Sequence, residues 1–202
     1  MKNKTNVFSR EYENTINLYK KMHIEGTILE DAQNTFDGKS LKYFFHPIRQ
    51  IINSTKSNSI IDFGCGKAKY YFKKVKINNI TYDNIAEFWK IQKYFLYDPA
   101  IKSFSKYPSK RADGVICIDV VEHIPEQDVI KFIEEIFRLA NKFIFVVIAC
   151  YPAKKKLPDG KYKVIVDSSL KRGHLELCHA IIKGKTKKEI FFSSYVCHPS
   201  MA

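Results

Sequence analysis

The residues best suited to chemistry begin at Ile60-Ile61-Asp62-Phe63-Gly64-Cys65-Gly66-Lys67-Ala68. A short apolar run ends near an acid and passes at once into a turn containing two glycines. Gly64 and Gly66 lack a Cβ, so the chain can turn sharply there and a ligand can come close to the backbone. If the next residues open a helix, its first turn offers free N–H groups. Asp62, at the strand end, is suited to orienting the amino group of a ligand, directly or through water. A plain strand–turn–helix joint is the alternative, because a lone Gly-x-Gly has low specificity.

The elements that must position this turn follow from hydrophobic patterning. Residues 59–63 read as a buried parallel strand, and 67–75 as the opening of a helix. Residues 87–95 predict a further helix or covering segment. Phe95-Leu96-Tyr97-Asp98-Pro99 is a second strand ending in an acid, residues 114–120 a third strand, and 142–150 a fourth. Between the last two, residues 126–140 predict an amphipathic helix with Val129, Ile133 and Ile136 toward a core. Upstream, 10–26 and 41–52 are helix candidates. Strands alternating with helices imply an α/β fold with a Rossmann-like, doubly wound parallel sheet. After Tyr151-Pro152 the pattern changes. Three strand candidates (162–167, 175–182 and 189–196) follow without a helix of useful length between them, which predicts an antiparallel ribbon. The division expected is a helical segment at 1–55, a core at 56–153 and a basic, β-rich tail at 154–202 in which the end of the fold is truncated or replaced.

Asp62, Gly64, Cys65 and Gly66 match the "DxGCGxG" motif, and here the chain resembles the class I S-adenosylmethionine-dependent methyltransferases of small-molecule type. Ala68 stands where a third glycine is common. The resemblance implies S-adenosyl-L-methionine as cofactor, bound by a core at 56–153. It also implies an acid at the end of the next strand, gripping the ribose hydroxyls. Asp98 is chosen for this, since a carboxylate accepts two hydrogen bonds from a cis-diol. The long spacing from Asp62 implies an insertion within 78–90, which leaves Asp83 and Glu87 as competitors and an Asp-Pro turn as the structural alternative. The segment Asp113-Gly114-Val115-Ile116-Cys117-Ile118-Asp119-Val120-Val121-Glu122-His123-Ile124-Pro125 is similar to the family's "FDxVxxxxVLEHI" stretch, which places Asp119 and Val120 beside the methionine part of the cofactor. His123 is then a candidate general base, with packing or capping of the next turn as its alternative; Glu122 has the same two readings. The function implied is methyl transfer to a small-molecule or carbohydrate-like acceptor.

The tail carries a second resemblance. Ser193-Ser194-Tyr195-Val196-Cys197-His198-Pro199-Ser200-Met201-Ala202 resembles the start of the metal site in a zinc aminopeptidase-like family, with His198 in the place of a ligand. A catalytic zinc takes about three protein ligands, so His198 would be one only in a complete domain, and no metal site is expected in this chain. A non-catalytic cofactor-binding or interaction protein, arising from a truncated fusion, is the alternative function.

Charge and cysteine usage narrow the partners. Lys and Arg number 34 against 21 Asp and Glu, a net charge of +13. The 154–202 tail holds 11 basic and 4 acidic residues, so more than half of the excess sits there. Nucleic acid is nevertheless disfavoured: where nucleic-acid amino methyltransferases carry an Asn/Asp-Pro-Pro-aromatic motif, this chain reads Asp119-Val120-Val121-Glu122. The five cysteines are odd in number and never spaced as CxxC, which fits free thiols in a reducing cytoplasm. No apolar run is long enough to span a bilayer.

Overall fold

The computed structural model describes residues 8–149 and 189–195. Helix α1 (Arg10–Glu25) starts at Ser9, whose hydroxyl accepts from the Tyr12 N–H, and stops at Gly26, where φ is 81°. A 3-10 turn (Lys39–Phe44) leads into α2 (Phe45–Ser54). The periodicity over 41–52 suggested one helix. Pro47 splits it, because it has no N–H to donate back toward Tyr43 and the α-helical ladder cannot extend upstream of it. Then come β1 (Ser59–Phe63), α3 (Lys69–Phe72), β2 (Val75–Ile77), β3 (Ile80–Tyr82), α4 (Ile85–Trp89), β4 (Lys93–Tyr97), β5 (Ala112–Ile118), α5 (Glu126–Leu139), β6 (Ala140–Ala149) and β7 (Glu189–Tyr195).

Two expectations change here. The helix expected at 67–75 shrinks to one turn, and 75–82 folds as a hairpin instead. Asn78 and Asn79 both take positive φ, 51° and 63°, the geometry of a two-residue turn that matches the twist of its strands. The alternation Val-Lys-Ile and Ile-Thr-Tyr around Asn-Asn was the available signal. The helix expected at 87–95 is shorter and earlier, since Lys90 turns left-handed and closes α4. The hairpin and α4 together fill the long interval between Asp62 and Asp98.

The main sheet is parallel, with strands in the order β4-β1-β5-β6-β7. This is a mixed α/β architecture. The expected antiparallel ribbon in the tail is corrected at its last strand: β7 pairs parallel with β6 from Phe143↔Glu189 to Ala149↔Tyr195. A parallel neighbour needs a crossover of a dozen or more residues, and the long stretch between β6 and β7 supplies that length. The strand candidates at 162–167 and 175–182 lie outside the described residues.

Strand alternation divides the core into two layers. Ile60, Ile116, Phe143, Phe145 and Val147 pack with α2, α3 and α4 on one face. Ile61, Phe63, Val115, Cys117, Ile144, Val146 and Ile148 pack with α5 and with Tyr12 of α1 on the other. Polar contacts lock the covers in place. Trp89 Nε1 donates to the Phe45 carbonyl at 2.9 Å, and the Ser9 amide and hydroxyl donate to Asp128 on α5 at 3.0 and 2.5 Å. Among the described residues no helix is long and apolar enough to cross a membrane.

Gly114 marks the tightest point of the sheet face, since a Cβ there would sit 2.1 Å from the fully buried Phe143 ring. Gly114→Ala should lower the unfolding free energy by about 1–3 kcal/mol through overpacking. Urea denaturation checks this, and an unchanged midpoint would show that Phe143 has room to shift.

Candidate functional site

The strand order creates a particular place at the centre of the sheet. The chain leaves β1 for β4 on one side, then crosses to β5 on the other, so the connections after β1 and β5 diverge at their carboxyl ends. There the backbone takes left-handed values at Gly64 (87°), Gly66 (55°), Ala68 (51°) and Asp119 (55°). Only glycine adopts such values freely. The two non-glycine cases, Ala68 and Asp119, are held by their surroundings.

The glycine turn is fixed by the end of β4. The Tyr97 carbonyl accepts from the amides of Gly64 at 2.7 Å and Cys65 at 3.1 Å. Asp98 accepts from the Gly66 amide at 3.0 Å through Oδ2 and from the Ala100 amide at 2.9 Å through Oδ1. Each carboxylate oxygen keeps a second lone pair. Burial pushes the Asp98 carboxyl up, against the lowering effect of those two amides. Of the three acids weighed for this place, Asp98 is the one brought to the glycine turn. Asp83 is exposed beside Lys74, and Glu87 accepts from the Asp83 amide at 2.6 Å on the hairpin side.

Both glycines are sterically required. A Cβ on Gly64 would lie 2.3 Å from Val120 Cγ2, and one on Gly66 would lie 2.4 Å from the Phe36 carbonyl oxygen. Val120 therefore packs on the turn itself. Cys65 is buried, its thiol directed to the Gly66 carbonyl at 3.4 Å, and burial pushes that thiol's pKa upward. Asp62 is buried on the α3 side of β1. Desolvation raises its pKa to about 7; the Tyr71 hydroxyl works against that rise and the Asp98 charge adds to it. Asp119 holds the Val147 carbonyl through its amide at 3.0 Å, and burial raises its carboxyl against a hydrogen bond from Ser40.

His123 sits in a 3-10 turn (Val121–His123), its amide closing on the Val120 carbonyl at 2.9 Å. Its ring lies 5.6 Å from that of Tyr19 on α1. Tyr19 in turn packs at 5.1 Å on Phe36, and its hydroxyl pKa is raised by burial and then by Glu122 and Asp98. Residues before β1 thus close one side of the site. Sequence reading missed Tyr19, Phe36 and Ser40, because their contacts join positions far apart in the chain. The only local signals were Gly26 and Gly38. His198 lies outside the described residues. Among the described residues no group of three or more His, Cys, Asp or Glu could hold a metal ion.

The raised Asp62 pKa gives a signed expectation. A carboxyl that holds its proton more tightly when folded favours the folded state at low pH. That contribution is lost as pH rises from the ordinary carboxylate range through about 7. Asp62→Asn should therefore gain stability relative to the parent at pH 8 and show little difference at pH 4. Urea unfolding at both pH values measures it; an equal difference at the two would refute the buried, protonatable carboxyl.

The comparisons with known proteins point away from methyl transfer. A family described as a domain of unknown function, DUF4910, matches residues 88–202. A putative polysaccharide biosynthesis protein with aminopeptidase-like domain, from Clostridium acetobutylicum, is 44% identical over 46 residues. That stretch is 23% of this chain and 11% of the relative, so the chain spans about a ninth of the relative's length. No solved structure matches. The methyltransferase expectation is thus corrected: the relationships found are to the DUF4910 family and to a polysaccharide biosynthesis protein with an aminopeptidase-like domain, and no methyltransferase family is among the findings. The physical reason is that the matching residues describe a strand–glycine turn–helix joint and an acid at a strand end, which parallel α/β sheets use for unrelated functions. With its family match covering more than half of the sequence, this chain belongs to the DUF4910 family.

Proposed function

We propose that this chain is a small-ligand-binding unit of a protein engaged in polysaccharide building, its ligand held in the crevice at the carboxyl ends of β1 and β5. The finer architecture proposed is the Rossmann-like, doubly wound class. In such open sheets ligands bind outside the strand ends where the chain order diverges. The observation that carries the reading is Asp98, a buried carboxylate that fixes the glycine turn while each of its oxygens keeps a second lone pair. A ligand that presents vicinal hydroxyls or an ammonium group suits it. Asp62, Gly64, Cys65, Gly66, Asp119 and Val120 complete the proposed contact set. S-adenosyl-L-methionine belongs to this ligand class through its ribose and ammonium group, and so does a nucleoside-diphosphate sugar. Both are proposed as ligands only. The setting proposed is the cytoplasm, on the strength of cysteines that form no disulfide among the described residues, such as buried Cys65.

The Clostridium relative's name supports a second reading for the family-matched residues 88–202, that of an aminopeptidase-like part. Zinc bound stoichiometrically to the purified chain would favour a metal site built with His198, and a metal-free preparation without peptidase activity would dispose of it.

Calorimetric titration of the chain with S-adenosyl-L-methionine and with uridine-diphosphate glucose tests the main reading. Micromolar binding of one of them is expected, weakened in Asp98→Ala by about 1.5–3 kcal/mol, the range for hydrogen bonds to a charged group. Heat-silent titrations with both ligands, or full affinity in the variant, would overturn it.

A further inference from the structure

We propose that residues 27–37 form a hinged strap closing over the glycine turn, and that Lys67 and Lys69 are its latch. This deepens the ligand-site reading and rests on it for what the strap admits. The strap is bounded by two left-handed glycines, Gly26 at 81° and Gly38 at 84°, the kind of position that absorbs a hinge rotation. Between them the segment is braced against itself. The Thr27 amide donates to Glu30, the Thr35 hydroxyl donates to the carbonyls of Glu30 and Asp31 at 3.2 and 2.8 Å, and the Asn34 side chain is held by Asp31. It can therefore swing as a body.

Its attachment to the site is chiefly polar. The amides of Lys67 and Lys69 donate to the carbonyls of Phe36 and Asp37 at 2.9 and 3.2 Å. The Lys67 ammonium donates to the carbonyls of Ala32 and Thr35, the latter at 2.6 Å. Lys69 Nζ pairs with Asp37 at 2.9 Å. The Phe36 carbonyl oxygen occupies the space that a Cβ at residue 66 would need, so the closed strap lies directly on the turn. Two of the strap's large apolar side chains face outward, Ile28 at 97% and Leu29 at 60% exposure, while its buried residues Thr35 and Asp37 are polar. The Phe36 ring on Tyr19 and His23 is its aromatic anchor. Phe36 itself is held at φ 52°, a left-handed value that a non-glycine residue adopts only at a cost. A segment with little apolar burial, fastened by a few charge-assisted hydrogen bonds, opens more readily than the core beneath it.

Amide hydrogen exchange on the ligand-free full chain tests the latch. In Lys67→Met, residues 27–38 should exchange about tenfold faster or more, as expected for losing hydrogen bonds from a charged donor. Strand β1 and helix α5 should keep their protection. Lys67→Arg, which retains the donors, should restore part of the strap's protection. Unchanged exchange over 27–38 in Lys67→Met would overturn the proposal, and so would a loss of protection shared equally by β1. Saturation with whichever of S-adenosyl-L-methionine or uridine-diphosphate glucose binds should slow exchange of the strap, and no slowing would overturn its role in ligand access. Because the first arm uses free protein, failure of both ligands to bind would count against the ligand site alone.

Discussion

The site depends on how the end of β4 receives the turn that follows β1. Three successive amides, those of Gly64, Cys65 and Gly66, are satisfied there: two by the Tyr97 carbonyl and one by the Asp98 carboxylate. Buried amides without partners would be costly, so this junction decides the path of the turn. It exists only because β1 and β4 pair in parallel with Phe63 opposite Tyr97. A one-residue slip would exchange the faces that Asp62 and Phe63 occupy and carry the turn away from Asp98.

Around that junction the molecule is unevenly built. Below it, both sheet faces are packed by large apolar side chains and the cover helices are pinned by buried hydrogen bonds. Above it, the segment between Gly26 and Gly38 is attached mainly through lysine side chains and backbone amides. A rigid sheet carrying a loosely fastened cover is the ordinary division of labour for a binding site, since precision comes from the scaffold and access from the loop. The carboxyls of Asp62, Asp98 and Asp119 all have raised pKa values, desolvation being the largest cause for each. A ligand that brings positive charge or hydroxyl donors there compensates for that desolvation.

The departure from the methyltransferase expectation is instructive about local motifs. Asp62, Gly64, Gly66, Asp98 and Asp119 lie at or just beyond the ends of the adjacent parallel strands β1, β4 and β5. The comparisons relate the chain to the DUF4910 family and to a polysaccharide biosynthesis protein with an aminopeptidase-like domain. Glycines and acids at strand ends answer to the geometry of a parallel sheet as much as to any one ligand, and function has to be argued from the whole constellation of a site.

The sequence by itself determined the elements whose patterning is strong and local. The four strands around 59–63, 95–99, 114–120 and 142–150 were legible as apolar runs, and α1 and α5 as amphipathic stretches, because burial of one face or both writes itself into neighbouring residues. The Asn78-Asn79 hairpin was legible in principle and hidden by a run of lysines that also suits a helix. Tertiary structure alone decided what lies between distant segments: the parallel placement of β7 beside β6, the Asp98 bond to Gly66, the Ser40 contact to Asp119, and the strap resting on the glycine turn. These contacts join residues about 30 to 80 positions apart. No local period encodes them, because they arise only once the sheet has fixed which strand ends meet.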